Sequence, residues 1–85
     1  MKVAYAPLFV RQYKKLPQAL QDEIDEKIAL FQEKPDHPFL KTHKLQGRLI
    51  ERLSFSVNYQ YRIIFRYLSI KEAVLLCVGD HSIYK

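Results

Sequence analysis

The run Leu53-Ser54-Phe55-Ser56-Val57-Asn58-Tyr59-Gln60-Tyr61-Arg62-Ile63-Ile64-Phe65-Arg66-Tyr67 alternates large apolar with polar side chains on both sides of one asparagine. Successive side chains of a strand point to opposite faces. This period of two therefore predicts two strands, each with one face for a core and one polar face. Leu53, Phe55 and Val57 form the apolar side of the first, and Tyr59, Tyr61, Ile63, Phe65 and Tyr67 that of the second. The tight connection near Asn58 predicts a hairpin. Upstream, Ile50 and Glu51 break the alternation that begins at Leu49, as expected of a bulge or a later strand start.

Downstream, Ala73 to Val78 is apolar at every position, the pattern of a central strand covered on both faces, and it delivers Gly79, Asp80 and His81 to the end of the sheet. Towards the N-terminus the period changes. Lys2 to Tyr5 alternates as a short first strand, and Pro7 suits the first turn of a helix carrying Phe9, Tyr13 and Leu16 on one face. Pro17 restarts the chain, and Leu20, Ile24, Ile28 and Phe31 recur at helical spacing to about Lys34, with Lys27 intruding and snorkelling. Pro35 and Pro38 close this helical pair.

The order strand, two helices, three strands gives the expected fold class: α+β, two N-terminal helices packed on one face of a small, largely antiparallel sheet. The other face is left for a ligand. A chain of 85 residues with 48% hydrophobic content has one core, so a single domain spans 1–85. No apolar run reaches the length of a membrane span, and Met1-Lys2-Val3-Ala4-Tyr5 lacks the apolar stretch of a signal peptide. The expected address is the cytoplasm, with no membrane partner. Cys77 stands alone in an apolar run and is expected to pack as a small hydrophobe.

The net charge of +5 is unevenly spread: residues 22 to 33 hold five acids against one lysine, whereas residues 34 to 71 hold eight Lys or Arg against Asp36 and Glu51. The basic half attracts phosphate backbones or an acidic protein, or is simply a solvated surface. On the predicted free face stand Arg52, Ser54, Arg62 and Arg66, with His43, Lys44, His81 and Tyr84 at its edges.

Those residue types suit cleavage of RNA without a metal. Histidine can take a proton from a ribose 2′-hydroxyl or give one to a leaving oxygen near neutral pH. Arginine stays charged and matches phosphate oxygens, and tyrosine offers a ring on which a base stacks. Structural readings compete. His37, between Asp36 and Pro38, reads as a solvated loop residue and is set aside. His43 suits either a loop or a site; Arg62 suits a phosphate or an ion pair with an acid such as Glu51. His81 follows an apolar strand and a glycine, where a rigid scaffold holds loop residues. No Gly-rich phosphate loop, nucleophile elbow or zinc signature occurs, and no metal or cofactor is expected.

In order and spacing, Phe9 to Leu16, Ile24 to Phe31, Lys44-Leu45-Gln46-Gly47, Tyr61-Arg62-Ile63-Ile64-Phe65 and Val78-Gly79-Asp80-His81 with Ile83-Tyr84 resemble the RelE/ParE superfamily of toxins from type II toxin-antitoxin modules. The resemblance covers nearly the whole chain and is nearest to RelE-like and YafQ-like members. It implies a microbial-RNase-like fold and a ribosome-dependent endoribonuclease that cleaves messenger RNA, inhibits translation and leaves a cyclic phosphate and a free 5′-hydroxyl. By the same resemblance, Arg62 binds the scissile phosphate, His81 is the general acid, His43 the base and Tyr84 the stacking aromatic, with the two histidine roles open to exchange. Lys44, Arg52 and Arg66 are expected to bind RNA. The chain departs from RelE-like members in offering Arg52 and Ser54 where they cluster lysines. The alternative within the superfamily is a ParE-type toxin that acts on DNA gyrase. Either implies a cognate antitoxin as partner, an acidic and partly disordered segment folding on the basic half.

Overall fold

The computed structural model describes residues 1–46 and 51–80. Strand β1 (Lys2–Tyr5) leads into helix α1 (Pro7–Lys14) and helix α2 (Gln18–Glu33). A 3₁₀ turn at Pro38–Leu40 precedes β2 (His43–Lys44), β3 (Leu53–Ser56), β4 (Arg62–Ser69) and β5 (Glu72–Gly79). The expected α+β class holds: the two helices pack on one face of a five-stranded sheet of order β1-β5-β4-β3-β2. Only the β1–β5 pair is parallel among the described strands.

Both helices begin at proline, where a missing N–H costs nothing. Pro7 opens α1, and Pro17 in extended geometry precedes α2 while its carbonyl accepts from Leu20 and Gln21. In the short link between them Tyr13 O accepts from Leu16 N–H at 3.1 Å. The Gln21 side-chain amide ties this corner to α2, donating to Tyr13 O at 2.9 Å and to Leu16 O at 3.2 Å. Across the same corner Tyr13 Oη donates to Asp25 Oδ1 at 2.7 Å. That bond raises the Tyr13 phenol to about 12, because ionisation would set a phenolate against a carboxylate.

The predicted stripe of α2 is buried as expected at Ile24, Ile28 and Phe31. Phe31 is the centre of the core, stacked on Phe55 and edge-on to Phe65, each at 4.7 Å between ring centroids. Leu40, Ile63, Ala73 and Leu75 complete the fully buried set around it, and Phe9 joins from α1.

Two expectations about the strands need correction. Tyr59 is not in a strand: β4 starts at Arg62, and Tyr59 sits in the turn with 91% of its surface exposed. Asn58 explains why, since its Oδ1 accepts from the N–H groups of Gln60 and Tyr61 and folds those residues into the turn. The apolar run of β5 is also not uniformly covered. A register shift lies between the pairs Ile64–Cys77 and Phe65–Leu75, so one extra residue sits on β5. Ala73, Leu75 and Val78 consequently all reach the core, while Leu76 and Cys77 are only half-buried. Next to this bulge Val78 N–H donates to the Gln12 side chain of α1 at 2.8 Å. The start of the first hairpin strand expected at Leu49 and Ile50 lies outside the described residues.

Candidate functional site

Side-chain parity assigns Ser54 and Ser56 of β3, and Arg62, Ile64 and Arg66 of β4, to the sheet face away from the helices. The ladders align two rows there. His43, Ser54, Ile64 and Cys77 form one row across β2 to β5; Ser56, Arg62 and Gly79 form the next. Ser54 and Ile64 are buried and Arg62 and Cys77 half-buried, whereas His43, Arg52 and Arg66 are exposed at the rim. The register continued one residue past Leu53 and Phe65 sets Arg52 against Arg66. The bulge in β5 is what turns Cys77 towards this face. Burial pushes the Cys77 thiol up, and the nearby Arg52 charge draws it part of the way back.

Arg62 pairs with Gly79, whose missing side chain leaves room beside the guanidinium. Its Nη1 is buried with no hydrogen-bond partner among the described residues. The competing ion pair with Glu51 therefore does not occupy that nitrogen. A permanently charged group with an unused donor is matched by an anion, and a phosphate oxygen is such an acceptor.

His43 is held from both ring nitrogens. Nδ1 lies 3.4 Å from Lys41 O and Nε2 lies 3.5 Å from Ser54 Oγ. Lys41 takes the left-handed conformation at φ 48°, unusual for a residue with a side chain, at the end of the 3₁₀ turn. A carbonyl only accepts, so the neutral ring places its proton on Nδ1 and keeps the Nε2 lone pair. Two strand spacings and two residues of rise separate the Cα atoms of His43 and Arg62 by roughly 12 Å. Their side chains can close that gap on one phosphodiester.

The face thus brings together His43, Arg52, Arg62 and Arg66. Lys44 is placed differently, because it pairs with Leu53 and so shares the helix-side parity, exposed at the sheet edge. His81 and Tyr84 lie outside the described residues; β5 ends at Gly79, beside Arg62. His37 is a turn residue, its Nδ1 accepting from Phe39 N–H at 3.1 Å and its ring edge-on to Phe39. Sequence reasoning missed the contact of Ser54 with His43 and the place of Cys77 on this face. No group of three or more His, Cys, Asp or Glu gathers to hold a metal ion among the described residues. Nor is any helix among them long and apolar enough to cross a membrane.

No family model matches the chain, and no curated protein does. Solved structures do match. A YoeB/ParE toxin from Agrobacterium tumefaciens superposes with a TM-score of 0.78 at 15% identity, covering 95% of this chain and 99% of that one. YafQ from E. coli superposes at 0.79 with 16% identity, covering 96% and 94% respectively. The heterotetrameric YoeB-YefM toxin-antitoxin complex from Staphylococcus aureus gives 0.76 at 15% identity, covering 95% and 97%. These neighbours are toxins, and the chain shares their fold. At such identities the likeness establishes the fold.

Proposed function

We propose that this chain is the toxin of a type II toxin-antitoxin pair, acting in the cytoplasm as a metal-independent endoribonuclease on ribosome-bound messenger RNA. One observation carries the reading: the buried Nη1 of Arg62, without a hydrogen-bond partner among the described residues, lies on the same sheet face as a histidine whose Nε2 is kept as a proton acceptor. The RelE/ParE-type fold supports it, and so does the charge of the second half of the chain.

In this mechanism Nε2 of His43 takes the proton of a ribose 2′-hydroxyl. The 2′-oxygen forms a bond to phosphorus as the bond to the 5′-oxygen breaks. Arg62 stabilises the negative charge that builds on the equatorial phosphate oxygens. His81, by the resemblance, returns a proton to the departing 5′-oxygen, with Tyr84 stacking on a base. The products are a 2′,3′-cyclic phosphate and a 5′-hydroxyl. Arg52 and Arg66, exposed at the rim, and Lys44 at the edge bind flanking backbone. An acidic antitoxin segment would cover the same basic half, and a neighbour with this fold is solved with its antitoxin.

The test is primer extension on ribosome-bound message with wild type, Arg62→Ala and His81→Ala. Cuts within codons that disappear in both variants support the reading. Full-strength translation arrest in both variants overturns the assignment, and loss of gyrase supercoiling without RNA cuts replaces it with the ParE-type alternative.

A further inference from the structure

Ser54 is fully buried, stands directly across the β2–β3 ladder from His43, and brings its Oγ to 3.5 Å from Nε2. A hydroxyl has one proton to give and lone pairs with which to accept another. Towards a neutral imidazole protonated on Nδ1, Ser54 donates to Nε2. Towards an imidazolium it accepts from Nε2–H. In both states Lys41 O accepts from Nδ1–H, so the ring has the same two partners before and after it takes a proton. A backbone carbonyl alone permits rotation about the Nδ1–H···O direction; a second contact on the far nitrogen removes that freedom.

We infer that Ser54 is a positioning residue for His43: Lys41 O sets the tautomer, and Ser54 fixes the ring plane that presents Nε2 to the open face. Its effect on rate rests on the ribonuclease reading, while its effect on the ring does not. At 3.5 Å the hydroxyl holds the lone pair weakly, so an arriving ribose hydroxyl displaces it and the buried serine still limits where the ring can go. The serine acts through His43 and touches no reacting atom.

The experiment compares full-length wild type, Ser54→Ala and Ser54→Thr in two measurements. In the first, ¹⁵N chemical shifts of the His43 ring nitrogens report the contact at Nε2: Nδ1–H dominates in all three proteins, and Ser54→Ala alone moves the Nε2 resonance downfield as its lone pair loses the serine donor. In the second, RNA cleavage by Ser54→Ala falls about tenfold in kcat with KM within about twofold, and Ser54→Thr recovers most of it. Unchanged ring shifts in Ser54→Ala overturn the inference. So does a moved Nε2 resonance with kcat unchanged. A wild type that cuts no RNA while Ser54→Ala moves the Nε2 resonance removes the ribonuclease reading and leaves the positioning contact standing. Ser54→Thr keeps the hydroxyl, so a loss of kcat common to both variants with intact circular dichroism also counts against it.

Discussion

Asn58 Nδ2 donates to Glu23 Oε2 at 2.7 Å, which ties the turn between β3 and β4 to helix α2. The same side chain organises the turn by accepting from two backbone N–H groups through Oδ1. Asn58→Ala loses all three bonds and leaves donors without partners, at a cost of about 2 kcal/mol. Glu23→Ala loses only the solvent-exposed bond to the helix and costs less than about 1 kcal/mol. Urea unfolding midpoints of the two variants rank them. Equal losses would mean that the turn gains nothing from its Oδ1 contacts.

Phe31 is fully buried and touches the rings of Phe55 and Phe65 from α2, so it joins the helix layer to the two central hairpin strands. Phe31→Ala removes the ring and leaves a cavity that those aromatics cannot fill, costing about 3–5 kcal/mol. That is a large share of the stability of a domain this size. Phe31→Leu retains most of the volume and should cost less than half as much. Chemical denaturation followed by far-UV circular dichroism tests both, and a Phe31→Ala midpoint close to wild type would contradict the packing described.

Much of this arrangement was legible from one-dimensional spacing. The helical recurrence of Ile24, Ile28 and Phe31 and the alternation of Leu53, Phe55, Ile63 and Phe65 each follow from local geometry. Parity likewise placed Arg62 and Arg66 opposite the core. What spacing cannot supply is register. The bulge of β5 is a property of its pairing with β4, and it alone decides that Cys77 leaves the core parity for the open face. Ser54 meets His43, eleven positions away in sequence, through a two-residue strand too short to have its own period. Lys44, adjacent in sequence to His43, goes to the other side for the same reason. Tyr59 failed as a strand residue because Asn58 captured the backbone that would have continued the ladder.

The position of Cys77 on the candidate RNA face is open to chemical test. Burial raises its thiol, so at neutral pH it carries less thiolate than an ordinary cysteine and alkylates more slowly. The rate should climb as pH rises past the usual thiol range. Arg52 favours the thiolate, so Arg52→Ala should slow alkylation further at any fixed pH below the plateau. A single-stranded RNA oligonucleotide laid across the face should protect the thiol in wild type. Mass spectrometry after timed iodoacetamide exposure reads all three, and faster labelling in Arg52→Ala would place the two groups apart.

The hydrogen bond from Tyr13 to Asp25 sets a pH dependence whose sign is fixed. Its phenol ionises at about 12 in the folded chain, against 10.0 for an ordinary tyrosine, chiefly because the proton is shared with the Asp25 carboxylate. Between those values the unfolded chain releases this proton first, which favours unfolding. The stabilisation is therefore complete below about pH 10 and is lost as the pH rises towards 12. Tyr13→Phe lacks the bond at every pH and should be less stable than wild type by about 1 kcal/mol or less near neutrality, as befits a bond at the surface. The deficit should shrink as both proteins are taken into alkali, because wild type then loses what the variant never had. Urea midpoints of the pair, measured at about pH 8.5 and again above about pH 11, provide the comparison. Other tyrosines titrate in both proteins and cancel in the difference. A deficit that stays constant with pH would show that the stability does not depend on the proton shared between Tyr13 and Asp25.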